Sequence, residues 1–365
     1  MGYDSIMERP IYKDIGTPIL ELDTPSLFID INSLLNNIEN TNDYFLAKNK
    51  KLCPNLSEHG VPAMAKIQTL KNKTLSEIYV DTFSQGKHFS QNGFSNILIG
   101  SSPIGRKRLG YIAELTTSAE ITVVVSIMET VLDVADVVRD GIRSISVLIP
   151  ITLSSEIWGL RPGDECTTLA KYIETCEGLK FRGYFLDLDQ LAARDKIDYA
   201  DEINKVKELL CHLGSAGCEV VVKSKYIEQS LMETPYTFTS VTGLYPFHEV
   251  VTQGHSDTLT CGIVSTVMSV PEKGRAYVDC GQKAISIDNG LPAVVGISGS
   301  YIETMSAEHG YLISDPQLAD IELGQKVVLL PSDIGGAFNV HDLLYVIEDK
   351  LLQCVWEISS RGYFS

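Results

Sequence analysis

The stretches ITVVVSI (residues 121–127) and SISVLIPI (residues 144–151) are almost wholly apolar. Between them Met128–Arg139 carries Val131, Val134, Val137 and Val138 at helical spacing. A strand that is apolar on both faces turns neither face to water, which is the condition inside a parallel sheet covered by helices on both sides. Working outward, short runs of the same kind recur at Leu27–Ile31, Lys51–Leu56, Glu77–Val80, Asn96–Gly100, Lys180–Leu186 and Glu219–Lys223. Amphipathic segments at Ser33–Asn42, Pro62–Lys71 and Ala200–Leu213 alternate with them. Eight such units predict a closed (β/α)8 TIM barrel over residues 24–235, with an open doubly wound sheet as the alternative.

Beyond residue 235 helical spacing gives way to short runs between Gly and Pro turns: Thr237–Thr242, Gly262–Ser269, Arg275–Asp279, Ala293–Ile297, Tyr301–Ser306, Lys326–Leu330 and Tyr345–Glu348. These predict a C-terminal antiparallel β domain over residues 236–365. Residues 1–23 have no place in the barrel count and are expected to join that β domain.

Composition narrows the classes of function. The 365 residues are 44% hydrophobic and have a mean hydropathy of +0.06, enough apolar side chains for a substantial core. The net charge is −17, and no basic run exceeds Arg106-Lys107-Arg108, so nucleic acid and anionic membranes are excluded as expected partners. No apolar run approaches the ~20 residues of a membrane span, and the N-terminus lacks the apolar core of a secretory signal. The expected location is therefore cytoplasmic. Eight cysteines without a CxxC pair predict free buried thiols, not a zinc knuckle or a disulfide framework.

Several motifs resemble one family. Leu22-Asp23-Thr24-Pro25-Ser26-Leu27-Phe28-Ile29-Asp30 resembles the opening of the D-threonine aldolase and D-serine dehydratase family, a branch of the fold-type III pyridoxal-phosphate enzymes with an alanine racemase N-terminal-type barrel. Asn96–Gly100, Gly159–Gly163, Val264–Ser269, Gly274–Gly281, Ala307-Glu308-His309-Gly310 and Asn339-Val340-His341-Asp342 follow in family order. The resemblance implies a barrel plus a β domain, in agreement with the pattern above, and a homodimer.

The cofactor residues that the resemblance implies are not in place. Where the family has Arg-Pro-His-x-Lys-x-His-Lys, this chain reads Cys53-Pro54-Asn55-Leu56-Ser57-Glu58-His59-Gly60. The Schiff-base lysine falls on Ser57, which has no amine to condense with an aldehyde, and the segment retains His59. The Gly/Ser-rich phosphate turn reads Val222-Lys223-Ser224-Lys225-Tyr226, the family arginine falls near Ile157, and an imidazole position falls within Phe185-Leu186-Asp187-Leu188-Asp189. The metal motif reads Pro331-Ser332-Asp333-Ile334-Gly335, which leaves His309 and Asp333 as a weak ligand set for a divalent ion.

These departures lead to the expectation that pyridoxal phosphate is lost and that no metal takes part. The replacements gather acids, an imidazole and cations at strand ends: Ser57, Glu58, His59, Asp187, Asp189, Lys223 and Lys225. The expected function is a cofactor-independent lyase or isomerase in biosynthesis, acting on a small anionic, amino-acid-like or carboxylate metabolite. His59, Asp187, His309 and Asp333 are its candidate catalytic residues, and Ser57, Asp189, Lys223 and Lys225 its candidate substrate-binding residues. The alternatives are a non-catalytic homologue that binds a small molecule or stabilises a partner, and a pyridoxal-phosphate enzyme whose lysine has moved, with Lys223 the candidate.

Overall fold

The computed structural model describes residues 13–139, 143–153, 158–189, 199–215, 217–247 and 259–365. The chain forms two compact units, one from Met1–Leu34 and Asp257–Glu357, the other from Leu35–Ser256 and Ile358–Ser365. The strand β1 (Ser26–Asp30) opens the first unit, and the helix α1 (Ile31–Ala47) runs from it into the second.

The second unit is an eight-stranded parallel barrel. Its strands are β2 (Lys51–Pro54), β3 (Ile78–Val80), β4 (Asn96–Ile99), β5 (Glu120–Val124), β6 (Ile145–Pro150), β7 (Leu179–Asp187), β8 (Glu219–Lys223) and β9 (Thr239–Thr242). They are ordered β2-β9-β8-β7-β6-β5-β4-β3, and a parallel bridge from Asn55 to Tyr79 links the two ends. Between them lie α2 (Pro62–Lys71), α3 (Phe83–Gln91), α4 (Arg106–Leu115), α5 (Met128–Val138), α6 (Asp164–Thr175), α7 (Tyr199–Ser215) and α8 (Gln229–Met232). Inside, one side chain from each strand joins a single buried cluster: Cys53, Tyr79, Leu98, Val124, Leu148, Phe185, Val221 and Val241. The barrel is thus a packed core and not a pore, so any site must sit at one of its ends.

The first unit is a nine-stranded sheet. With β1 it contains β10 (Cys261–Glu272), β11 (Arg275–Val278), β12 (Ala293–Val295), β13 (Tyr301–Met305), β14 (Gly310–Ile313), β15 (Lys326–Leu330), β16 (Leu343–Glu348) and β17 (Leu351–Glu357). A short helix, α9 (Ile334–Asn339), follows β15. Every pairing is antiparallel except β1 with β16. Gly16 and Ile19 donate backbone hydrogen bonds to Leu352 and Lys350, which brings the described N-terminal residues alongside β17.

The barrel and the antiparallel sheet follow the expected fold class, but two strands exchange places. Leu27–Ile31, counted as the first barrel strand, forms β1, where Ser26–Ile29 pairs with Cys261–Val264. Thr237–Thr242, counted into the β domain, supplies β9, the strand between β2 and β8. An apolar run reports burial on both faces but not which sheet buries it, and Leu27, Phe28 and Ile29 are indeed buried. β9 reads Thr-Ser-Val-Thr and is buried despite its hydroxyls. Those of Thr239 and Thr242 donate to Glu219 and to the Lys225 carbonyl. The two compact units divide at residues 34/35, 256/257 and 357/358, where the sequence places divisions at 23/24 and 235/236. The eight cysteines are free, though Cys354 is exposed and only Cys53, Cys166, Cys261 and Cys280 are buried.

Candidate active site at the barrel mouth

The C-terminal ends of the barrel strands are where side chains from distant segments converge. The floor of this mouth is Tyr79, fully buried and stacked on Phe185 with ring centroids 6.2 Å apart. Gly100 at the end of β4 makes room for it, since any Cβ there would collide with the phenol ring. The Tyr79 hydroxyl donates to Asp81 Oδ1 at 2.9 Å, and burial pushes the phenol well above its ordinary pKa, so it remains a donor.

Above the floor stand four acids and two lysines. Lys223 at the end of β8 donates to Asp189 Oδ2 at 2.9 Å and to Asp187 Oδ2 at 3.5 Å. Burial alone would lower the pKa of this ammonium, but Asp189, Asp187 and Asp81 outweigh it and raise the pKa, keeping the group charged. The other Asp189 oxygen accepts the Lys225 backbone N–H at 2.6 Å, which fixes the turn after β8. The Lys225 ammonium has no ion-pair partner among the described residues.

Glu58 ends a 3-10 turn, Leu56–Glu58, whose cap is the Asn55 side chain accepting from Ser57 N at 3.0 Å. Gly243, just after β9, lets the Glu58 stem lie against the strand end, because a Cβ there would run into Glu58 Cγ. Burial raises the Glu58 pKa to about 7; Lys225 and Lys223 oppose the rise, while Asp81 and Asp189 add to it. No hydrogen bond or ion pair engages this carboxyl among the described residues.

Of the expected site residues, Asp187, Asp189, Lys223, Lys225 and Ser57 lie at this end. Ser57 Oγ donates to Gln85 Oε1 at 2.9 Å and accepts the Asp81 N–H at 2.7 Å, so it braces the mouth and offers no free hydroxyl hydrogen. His59 is a correction. It is fully buried, its Nδ1 accepts the Val61 N–H at 3.0 Å, and its Nε2 faces Gln68 Oε1 at 2.9 Å. With Nδ1 an acceptor, the ring proton sits on Nε2. Burial lowers the His59 pKa to about 3, so the imidazole is a structural brace, not a proton shuttle at neutral pH.

His309 and Asp333 belong to the sheet unit. His309 is exposed in the β13–β14 turn, where its N–H donates to Ser306 Oγ, and Asp333 Oδ2 accepts from Ser286 at 2.7 Å. Two acids received no role from the sequence: Glu58, named only among the rim residues, and Asp81, not singled out at all. The signal was available for Asp81, which directly follows the run Glu77–Val80.

Comparison with known proteins bears on this arrangement. Residues 260–347 match the putative serine dehydratase domain. A D-threonine aldolase from Arthrobacter sp. is 24% identical over 95% of each chain. A 3-hydroxy-D-aspartate aldolase from Paracoccus denitrificans is 23% identical over 99% of this chain and 97% of its own. The crystal structure of D-threonine aldolase from Filomicrobium marinum superposes with a TM-score of 0.82 at 24% identity, over 97% of this chain and all of that one. This chain is their homologue. The barrel and sheet therefore share the fold of that aldolase, as the motifs implied.

These relatives overturn part of the expected function. They are aldolases, and the matched domain is named for a dehydratase, so the kinship supports a lyase on a small amino acid. It gives no support to cofactor independence, because the family that the motifs resemble works with pyridoxal phosphate, and a D-threo-3-hydroxyaspartate dehydratase of the same fold is described in a metal-free form, which implies a metal-bound one. The expectations of no cofactor and no metal are withdrawn on that ground.

The residues of this chain nonetheless do not fit the cofactor as the family holds it. Ser57 replaces the amine, and Lys223 is held as an ammonium between two carboxylates, whereas an imine forms from the free amine. Of the backbone N–H groups after β8 that would cradle a phosphate, Ser224 N donates to the Val241 carbonyl and Lys225 N to Asp189. Ile157 lies outside the described residues. For a metal, Asp333 and His309 are the only donors left at the family positions, since position 335 is glycine. No chemical step is therefore assigned to either group.

Proposed function

We propose that this chain is a lyase acting on a small 3-hydroxy amino acid, with its site at the C-terminal mouth of the barrel. The observation that carries the reading is Glu58, a carboxyl with a pKa of about 7 that no described side chain engages, close to Lys225 and Lys223. Cleavage of such a substrate removes the hydroxyl proton as the carbon–carbon bond breaks, while dehydration adds a proton to the hydroxyl as it leaves. Either route needs one group able to hold or release a proton near neutral pH. Glu58 is placed and tuned for that. Lys225 supplies the charge for the substrate carboxylate, and Asp81, whose Oδ2 has no partner among the described residues, accepts from the substrate ammonium. Asp187 and Asp189 hold Lys223 and the β8 turn in position. The homodimer that the resemblance implies belongs to the same proposal.

The test supplies pyridoxal phosphate and a divalent cation to the purified chain with D-threonine or 3-hydroxy-D-aspartate, the substrates named for its relatives. Release of aldehyde or of ammonia is the readout. Glu58→Gln is expected to lower kcat/KM by about 10²–10⁴-fold. An aldolase would gain activity as pH rises through about 7, because it needs the carboxylate; a dehydratase would lose it, because it needs the acid. No release from either substrate, or a Glu58→Gln variant as active as the parent, would overturn the proposal.

A further inference from the structure

We infer that residues 358–365 are a positioning strap that sets the two loops carrying Glu58 and Asp81. The inference rests on the proposed role of that mouth, but its evidence is separate.

The segment follows β17 yet belongs to the barrel unit. Ile358 and Ser360 are 2% and 1% exposed, so the segment begins packed, and although the side chains of residues 361–364 are exposed its backbone stays tied to the barrel unit. Its first anchor is the loop after β2. Ser360 N donates to the Gly60 carbonyl at 3.1 Å, two residues past Glu58. Gly60 has a φ of +64°, and a Cβ there would lie 2.7 Å from Ser360 Oγ, so this close approach requires glycine twice over. Its second anchor is the loop after β3. Thr82 Oγ1, one residue past Asp81, donates to the Tyr363 carbonyl at 2.8 Å, and Ser84 N donates to the Ser365 carbonyl at 2.6 Å. Its third is α3: His88 Nε2 meets Ser359 Oγ at 2.9 Å, and its ring lies 5.3 Å from that of Tyr363.

These anchors bracket the mouth. Ser57 Oγ accepts the Asp81 N–H and donates to Gln85, so the two loops are already joined to one another on the inside. The strap joins them again on the outside, at Gly60 and Thr82. With both links in place, the Glu58 and Asp81 carboxyls keep a fixed spacing and a fixed degree of shielding from water. Without the outer link the Glu58 turn gains freedom and water, and its pKa falls toward the ordinary carboxylate range. Ser360, His88 and Tyr363 are thus positioning residues, acting through Glu58.

The experiment compares the full chain with one ending at Glu357 and, because that truncation can unfold, with His88→Ala/Tyr363→Ala in the full chain. Amide hydrogen exchange is followed at residues 55–62 and 81–88, with β5–β8 as the internal control. The expected result is exchange at least about tenfold faster in the two loops and unchanged in β5–β8. The pH midpoint of activity is expected to move below about 7 in the double variant. Unchanged loop exchange in a folded variant overturns the strap, as does a uniform rise that includes β5–β8. Faster loop exchange in a chain that releases nothing from either amino acid sustains the strap and overturns the lyase reading instead.

Discussion

The two ends of the barrel are both polar, and they differ in whether their buried charges are matched. At the N-terminal end Arg182 donates to both oxygens of Glu77, to both oxygens of Glu219 and to Thr122 Oγ1. Burial alone would raise the Glu219 pKa, but Arg182 overrides it and lowers it. At the C-terminal end Lys223 is paired, while Glu58 and Lys225 are not, among the described residues. A cavity of about 670 Å³ opens at the N-terminal end beside Glu77, Glu120, Thr122, Arg143, Lys180 and Arg182. Volume alone would therefore choose the end whose deepest charges are already used. On the proposed function, the matched buried charges belong to the part of the barrel that holds the fold together, and the unmatched ones to the part left available for a substrate.

The comparison breaks first at Arg182. Replacing it with Met leaves Glu77 and Glu219 facing one another without a cation, and Glu77 is only 1% exposed. We expect a loss of about 3–5 kcal/mol in urea unfolding, the range for removing one partner of a buried ion pair. Unfolding at the parental urea concentration would mean that this end is not the stabilising one.

His59 sharpens the contrast, because it lies near the mouth and yet behaves like the matched end. Its folded pKa of about 3 lies below the ordinary value of about 6.5, so the native state favours the neutral ring. The stability this confers is complete above about 6.5 and is lost as pH falls toward about 3. Relative to His59→Gln, the parent should lose about 2–3 kcal/mol between pH 7 and 4.5, read from paired denaturation curves. Parallel pH profiles would return His59 to the list of exposed, titrating groups.

Glu58 should show the smallest effect and the opposite sign. Its folded pKa of about 7 lies above the ordinary value, so the native state favours the protonated acid. The penalty is absent below about 4.5 and grows as pH rises through about 7. Glu58→Gln should then be more stable than the parent by about 1–2 kcal/mol at pH 8, after allowance for the partial exposure of the side chain, and indistinguishable from it at pH 4. A variant that is inactive but more stable at high pH is the signature of an unmatched functional acid; one that is less stable at pH 8 would place Glu58 among the structural charges.

Much of the fold was legible because apolar strands flanked by amphipathic helices can satisfy their burial in few ways. The exchange of β1 and β9 was not, because hydropathy registers burial and not partners: β1 looked like a barrel strand, and the hydroxyl-rich β9 looked like anything else. At the site, strand-end position correctly brought Asp187, Asp189, Lys223 and Lys225 together. It could not reveal that His59 points into a cage of Gln68 and the Val61 N–H, since the same His at the end of the same strand could turn either way. Glu58 carried no distinctive spacing. What sets it apart is the room left by Gly243, far along the chain.

The placement of β1 has a consequence for how the molecule is made. Its partner β10 begins about 230 residues later, when Cys261 arrives to pair with Ile29. On the ribosome the barrel strands, complete by Thr242, can associate while Leu27, Phe28 and Ile29 still hang as a bare apolar thread. Mutations that make that thread more apolar should reduce yield more than they change the finished protein. Residues 358–365 emerge later than everything they fasten, so a newborn chain assembles its mouth before it is buckled in place.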